Sequence, residues 1–326
     1  MKTSAIKFIK RLSSYILTLF LLVSLIFILL RLAPGDPTLK FISPVMSPLL
    51  SENVKHSFAL DRSVTEQYFC FIKNILSGDF GISYNYRIPV TEVISGPLTF
   101  TLIFASISFF LQVSFSFLLA FLINKIRGGF LDRLLNRLSF FVYSIPTMII
   151  GLFLVYFFSI KMNILPSSDL HSMDFNDLSL IEKILDYFSH LILPLLTLSI
   201  PGALLFYSYL RSSIETTYQK NFILFLRANG TDEDTIFKKH VIPNSIGPLL
   251  SIFGTELGIL LSGALITETI FSLPGMGRLT VTAILTRDYP LVVGSVFISG
   301  VFVLLANFLA DTIKVKFDKR LNTELS

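Results

Sequence analysis

Six runs of mostly apolar residues constrain this 326-residue chain more than any motif in it. A helix must present about 20 apolar residues to cross a bilayer, because about 30 Å of hydrocarbon is spanned at about 1.5 Å per residue. The runs are Tyr15–Leu32, Thr99–Ile123, Leu138–Ile160, His190–Leu210, Ile246–Phe271 and Leu291–Ile313. Pro194, Pro201, Pro248 and Glu256 interrupt the fourth and fifth. The composition agrees: 15% of residues are charged, against about a quarter in a soluble domain, and 52% are hydrophobic. Lys2, Lys7, Lys10 and Arg11 precede the first run as they would a signal peptide. That run is too long for a signal h-region, however, and Arg31 with Ala33-Pro34-Gly35-Asp36-Pro37 stands where a small-residue cleavage site belongs. The expectation is an all-α polytopic membrane protein with six transmembrane helices and a retained first helix.

With six spans both termini lie on one side, and the basic residues choose it. Seventeen of the 27 Lys and Arg residues fall in the N-terminus, the 125–137 loop, the 211–245 loop and the tail. Lys and Arg concentrate on cytoplasmic segments, so termini and both loops are expected in the cytoplasm. The excess of five positive charges is thereby a topological signal and no argument for nucleic acid. On the other side, residues 33–98 are too long for a turn and too rich in Leu, Phe and Ile for disorder, which predicts a small helical cap. Within it Ser63–Leu76 reads as an amphipathic helix capped by Thr65 and ended at Gly78, with Pro89 and Pro97 marking the return to the bilayer. Leu180–Leu185 reads as a short surface helix leading into the fourth span.

Several chemistries are excluded by inspection. A phosphate loop needs Gly-Lys-Ser/Thr, and Gly-Lys occurs nowhere. His56, His171, His190 and His240 are scattered, Cys70 is alone, and neither a zinc motif nor a nucleophile elbow is present. Three acids lie in or near apolar runs, where a charge is costly and marks a functional candidate. Glu268 and Asp311 stand near span ends and are expected to reach water. Glu256 lies deeper, beside Gly254, Gly258 and Gly263, and is read equally as lining a pathway or as pairing between closely packed helices.

The segment Leu226–Pro248, LRANGTDEDTIFKKHVIPNSIGP, is polar between two apolar runs. Gly230 follows a helical pattern through Tyr218, Phe222 and Phe225 and marks its stop. A second helix can start with Thr231 as N-cap; Asp232, Glu233 and Asp234 fill its first turn and Lys238, Lys239 and His240 its last, each matching the dipole. Pro243 is expected to end it at Ile242. Ile236 and Phe237 would form an apolar knob on this charged rod, suited to a groove on a partner; a plain solvated connector is the alternative.

The placement of Gly230 thirteen residues before an Ile242-Pro243 pair is similar to the signature loop of ABC-importer permeases. Nearly the whole chain resembles the B-type permease of the dipeptide, oligopeptide and nickel importers. The matching segments are Arg31–Pro37, Leu76–Gly81 with Pro89-Val90, and Glu268–Leu279, which reads ETIFSLPGMGRL. The Glu-Ala-Ala triplet of the wider superfamily is replaced by Leu224, Phe225 and Leu226. The resemblance implies the type I importer permease fold in a bacterial inner membrane. It divides the chain into 1–32 (N-terminus and first span), 33–98 (extracytoplasmic cap), 99–313 (permease core with coupling loop 211–245) and 314–326 (cytoplasmic tail).

It further implies a second homologous permease, two ATPases that use ATP and Mg, and an extracytoplasmic substrate-binding protein, this chain itself carrying no cofactor and no catalytic residue. Ala228, Asn229, Gly230, Thr231, Asp232, Glu233, Asp234, Ile236, Phe237, Lys239, His240 and Pro243 would contact the ATPase. Glu256, Glu268, Pro274, Gly275, Gly277 and Arg278 would belong to a pathway or an external re-entrant gate. Peptides are the expected cargo, with nickel or glutathione as alternatives within the family. A stand-alone secondary transporter is the rival from another class, and the single deep carboxylate at Glu256 speaks against it.

Overall fold

The computed structural model describes residues 2–32, 62–124, 126–261 and 264–317. Helices dominate, and among the described residues the only β pairing is an isolated bridge between Ile82 and Pro89. Helix α1 covers Lys2–Leu32, α2 Val64–Leu76, α3 Val90–Asn124 and α4 Phe130–Tyr143. Helix α5, Thr147–Leu154, continues as π-helical turns over Val155–Lys161. Helix α6 runs from Leu180 to Tyr218, and α7 covers Asn221–Ala228. Helix α8 starts at Glu233–Thr235, widens into π-helical turns over Ile236–Val241 and closes over Ile242–Ser245. Helices α9 (Gly247–Leu261), α10 (Leu265–Ile270), α11 (Met276–Leu285) and α12 (Tyr289–Phe317) complete the described chain.

Among the described residues, four apolar helical stretches are long enough to cross a membrane: Val90–Asn124, Leu180–Tyr218, Ile252–Ile270 and Tyr289–Thr312. The third expected run is not a single helix, because α4 and α5 meet at 99°. Pro146 accounts for the break: it lacks an N–H and disfavours helical backbone at Ile145. In α1 the apolar helical stretch is shorter, Ser13–Leu29.

The chain forms two compact units. One comprises Met1–Leu102, Leu261–Leu265 and Pro274–Leu304. In it, α2 buries Gln67, Phe71 and Ile75, spaced at i, i+4 and i+8 on one helical face. Its N-cap is Ser63 rather than Thr65: Ser63 Oγ accepts the Glu66 N–H at 3.4 Å while Glu66 Oε2 accepts the Ser63 N–H at 3.1 Å. Tyr68 on α2 shares a 2.6 Å hydrogen bond with Ser24 on α1, and Phe27 packs against both Tyr68 and Phe71. Pro97 lies inside α3 rather than before it. Its position in the second turn leaves most of the helical ladder intact. Residues 33–61 of the expected cap lie outside the described residues.

The other unit comprises Ile103–Leu260, Ile266–Leu273 and Leu305–Ser326. Its scaffold is α6, which absorbs the expected surface helix at Leu180 and runs unbroken through Pro194 and Pro201. A proline deletes one ladder bond, and in an apolar setting Ser, Thr and neighbouring helices take up carbonyl groups. The two prolines remove the ladder donors to His190 O and Thr197 O, and side chains bond other carbonyls of the same stretch: Thr197 Oγ1 donates to Leu193 O (2.8 Å) and Gln112 Nε2 to Leu198 O (3.2 Å). Two glycines set helix distances: a Cβ on Gly202 would stand 2.3 Å from Gln112 Cδ, and one on Gly254 would stand 2.2 Å from the Ala310 Cβ.

Candidate functional site

The polar segment folds as an elbow of α7 and α8 packed on the end of α6. Helix α7 ends in a Schellman motif: Thr231 N–H donates to Leu226 O (3.1 Å) and Gly230 N–H to Arg227 O (3.0 Å). Gly230 has φ +77° with open space around its Cα, so backbone conformation rather than crowding requires glycine there. The N-cap of α8 is one residue later than expected. Asp232 Oδ1 accepts the N–H groups of Asp234 (2.9 Å) and Thr235 (3.0 Å), and its hydrogen bonds with Thr235 hold the carboxyl below the usual range.

Pro243 does not end α8, which continues to Ser245. The π-helical turns over Ile236–Val241 widen the coil before the proline, which relieves the clash of its ring with the preceding turn. Side chains then cover carbonyl groups: Asn244 Nδ2 donates to His240 O (2.7 Å) and Ser245 Oγ to Val241 O (2.8 Å).

The structure overturns one feature of the expected surface. Ile236 and Phe237 do not form an exposed knob; they are 0% and 1% exposed. Both belong to a core with Phe206, Tyr207, Leu210 and Ile223, and Phe121 meets Phe237 edge-on at 5.4 Å. The reason is amphipathic: Ile236, Phe237, Val241 and Ile242 form one apolar stripe, and the end of α6 covers it. The exposed apolar surface of the elbow lies instead on α7, where Leu224 is 58% and Phe225 68% exposed. Around it Arg227 pairs with Glu233, and Lys238 with Asp234 at 2.6 Å. Ala228, Asn229, Lys239 and Pro243 are exposed, and Thr231 and His240 are half-buried.

Helix α6, on whose end the elbow packs, is tied to α4 by groups that in sequence read only as a turn and a topological charge. Asp132, in the first turn of α4, is buried and receives Arg211 through Nε (2.6 Å) and Nη2 (3.0 Å). It also accepts the Gly128 N–H at 2.8 Å, closing the Gly128-Gly129 turn. Arg211 extends to Glu215 at 2.8 Å. The Arg127 guanidinium lies 3.5 Å from the centre of the Tyr218 ring, at the end of α6. A pair separated by 79 residues leaves no local periodicity. The one available hint was an acid three residues after Gly-Gly.

The remaining candidates are divided between the two compact units, Glu256 and Glu268 in one and Pro274, Gly275, Gly277 and Arg278 in the other. Glu268 is 0% exposed, contrary to the expectation that it reaches water. Glu256 is half-buried beside Gln112, whose Oε1 is buried without a hydrogen-bond partner. Gly263 lies outside the described residues, but Gly254 does mark a close helix approach. Pro274 is exposed, whereas Gly275 and Gly277 are buried at the start of α11 and Arg278 is half-buried. The left-handed turns of this segment sit at Ser272 (φ +53°) and Arg287 (φ +57°), not at the glycines. Met276 N–H donates to Thr101 Oγ1 at 2.8 Å, which fixes the first turn of α11. Among the described residues no group of three His, Cys, Asp or Glu side chains could hold a metal.

Two family models account for nearly the whole chain. "Binding-protein-dependent transport system inner membrane component" matches residues 112–323, and its N-terminal companion matches residues 5–105. The chain belongs to this permease family. A probable peptide ABC transporter permease of Sinorhizobium fredii is 32% identical over 96% of this chain and 98% of its own length. A dipeptide transport system permease of Lactococcus lactis is 28% identical over 96% and 97%. A glutathione transport system permease of Escherichia coli K12 is 28% identical over 94% and 95%. The protein is thus a multi-pass membrane component of a binding-protein-dependent transporter, and a permease rather than a catalytic subunit. Its apolar helices and its elbow are features of that permease.

Proposed function

We propose that this permease forms half of the translocation path of an ATP-driven importer for di- or oligopeptides, and that the α7–α8 elbow receives the motion of a separate ATPase. In this reading six spans place both termini and the elbow in the cytoplasm of a bacterium. A second homologous permease completes the path, two ATPases bind ATP and Mg, and an extracytoplasmic protein delivers cargo. Supporting this are the positive-inside pattern of Lys and Arg, the peptide and dipeptide names of two relatives, and the construction of the elbow itself.

One observation carries the coupling role: the elbow buries one face in its own chain while Leu224 and Phe225 remain exposed between charged pairs. Ile236 and Phe237 therefore hold the elbow to α6, and the contact with the ATPase falls to the outer face of α7 with Ala228, Asn229 and the charged rim. Gly230 keeps the angle between the helices. A helix pair packed this way moves as a rigid body, so displacement at the rim passes into α6 and α9. Glu256 and the segment Glu268–Arg278 are assigned to the pathway and its external gate.

Reconstitution of the four-subunit complex with its binding protein tests the cargo. Uptake and ATP turnover are expected to rise with peptide-loaded binding protein. Stimulation by glutathione or a nickel chelate alone would transfer the protein to the glutathione branch suggested by the third relative or to the nickel branch. Uptake by the purified chain without ATP would make it a secondary transporter.

A further inference from the structure

An open cleft of about 920 Å³ lies between the end of α3, the end of α6 and the elbow. Its walls are unlike each other. Phe121 and Leu122, both exposed, form an apolar side in the last turns of α3, a helix long and apolar enough to cross a bilayer. Arg127, Arg227 and Lys238 line the opposite, polar side. Arg227 and Lys238 are matched by Glu233 and Asp234. Among the described residues no carboxylate lies within ion-pair distance of Arg127; the acid of its own turn, Asp132, feels its charge but is engaged by two nitrogens of Arg211. Its guanidinium is nevertheless held in place over the Tyr218 ring, 3.5 Å from its centre, while Tyr218 in turn donates to Asn124 Oδ1 at 3.3 Å. A fixed guanidinium with free donors is suited to an oxyanion with several acceptor oxygens.

An ordered, unmatched cation beside an apolar wall at the end of a membrane helix is complementary to one kind of molecule. We infer that this cleft binds an anionic phospholipid, its phosphate on Arg127 and an acyl chain along Leu122 and Phe121. A free phosphate would use the cation but gain nothing from the apolar wall. A lipid uses both, and basic pockets at the ends of membrane helices take lipid headgroups for that reason. Because the elbow supplies part of the cleft, a bound lipid would brace the elbow against α3. The inference is independent of the cargo and of which leaflet the elbow faces.

The test is lipid retention by the complete transporter in nanodiscs of phosphatidylcholine with and without phosphatidylglycerol, read by native mass spectrometry. The wild type is expected to retain phosphatidylglycerol preferentially, and Arg127→Gln to lower that retention about fivefold. Arg133→Gln, an exposed arginine of the next helix, serves as the control and should retain as much as the wild type. Millimolar inorganic phosphate should not displace the lipid. Equal retention by Arg127→Gln and the wild type would overturn the inference, as would displacement by phosphate. A third contrary result would be loss of ATPase subunits, rather than of lipid, from Arg127→Gln, which would assign the cleft to the protein partner.

Discussion

Two buried aspartates, one in each compact unit, join distant segments in different ways. Asp132 stands in the first turn of α4 against a cation, receiving two bonds from Arg211 and one from the Gly128 backbone. Asp288, just before α12, meets neutral donors: the Ser83 hydroxyl, the Asn85 N–H (3.1 Å) and the Leu291 N–H (3.3 Å). Both are helix N-terminal acids and both join segments far apart in sequence. The difference lies in what is stranded when the acid is lost. Removing Asp132 leaves a largely buried guanidinium, whereas removing Asp288 leaves hydroxyl and amide groups that water can satisfy at lower cost. The charged lock joins α4 to α6, and the neutral one fastens the 82–89 turn to the start of α12.

That contrast can be broken by mutation. Asp132→Ala is expected to have the largest effect, costing about 3 kcal/mol or more of stability, seen as a lowered thermal midpoint of the purified permease. Replacing both partners together, Asp132→Leu with Arg211→Met, should recover much of that loss, because no buried charge is then left unmatched and Glu215, which also loses Arg211, is exposed to water. Asp288→Asn keeps an acceptor oxygen and should cost about 1 kcal/mol. An equal loss for Asp132→Ala and Asp288→Asn would mean that the charge on Arg211 is solvated and the comparison empty.

Gly230→Ala is smaller again in stability, about 1 kcal/mol, because a Cβ must enter the left-handed region although nothing crowds it. Transport should fall more than stability does if the angle of the elbow matters. The smallest effect belongs to Asp232. Its carboxyl is held below the usual range by Thr235, so its contribution is full above the ordinary carboxylate range and is lost as pH falls through the lowered value. Wild type should therefore lose elbow protection in amide exchange at acid pH, and Asp232→Asn should show a flatter pH profile over the same interval.

Apolar periodicity and turn residues made much of this fold legible in advance. The elbow was visible in Gly230, the acids of Asp232–Asp234 and the basic end of α8, because dipole and capping preferences are local. The break at Pro146 and the continuity through Pro194 and Pro201 were not, since a proline's effect depends on which neighbours take up the freed carbonyl groups. The orientation of Ile236 and Phe237 was missed for a similar reason. A sequence shows that a helix has an apolar stripe, but whether its own chain or a partner covers that stripe is decided by tertiary packing, here by Phe206, Tyr207 and Leu210. Asp132 and Arg211 illustrate the same limit for charge, being read as a turn residue and a topology marker until folding joined them.

In the proposed coupling, the outer face of α7, and not Ile236-Phe237, meets the ATPase. Cys70 is the only cysteine, so Cys70→Ser gives a clean background for single cysteines along the elbow. In the assembled complex, Leu224→Cys and Phe225→Cys should cross-link to the ATPase through a short thiol reagent, with a yield that changes when ATP binds. Ile236→Cys and Phe237→Cys should remain unreactive in the folded complex. Efficient cross-linking at Ile236 or Phe237, with silence at Leu224 and Phe225, would contradict the account.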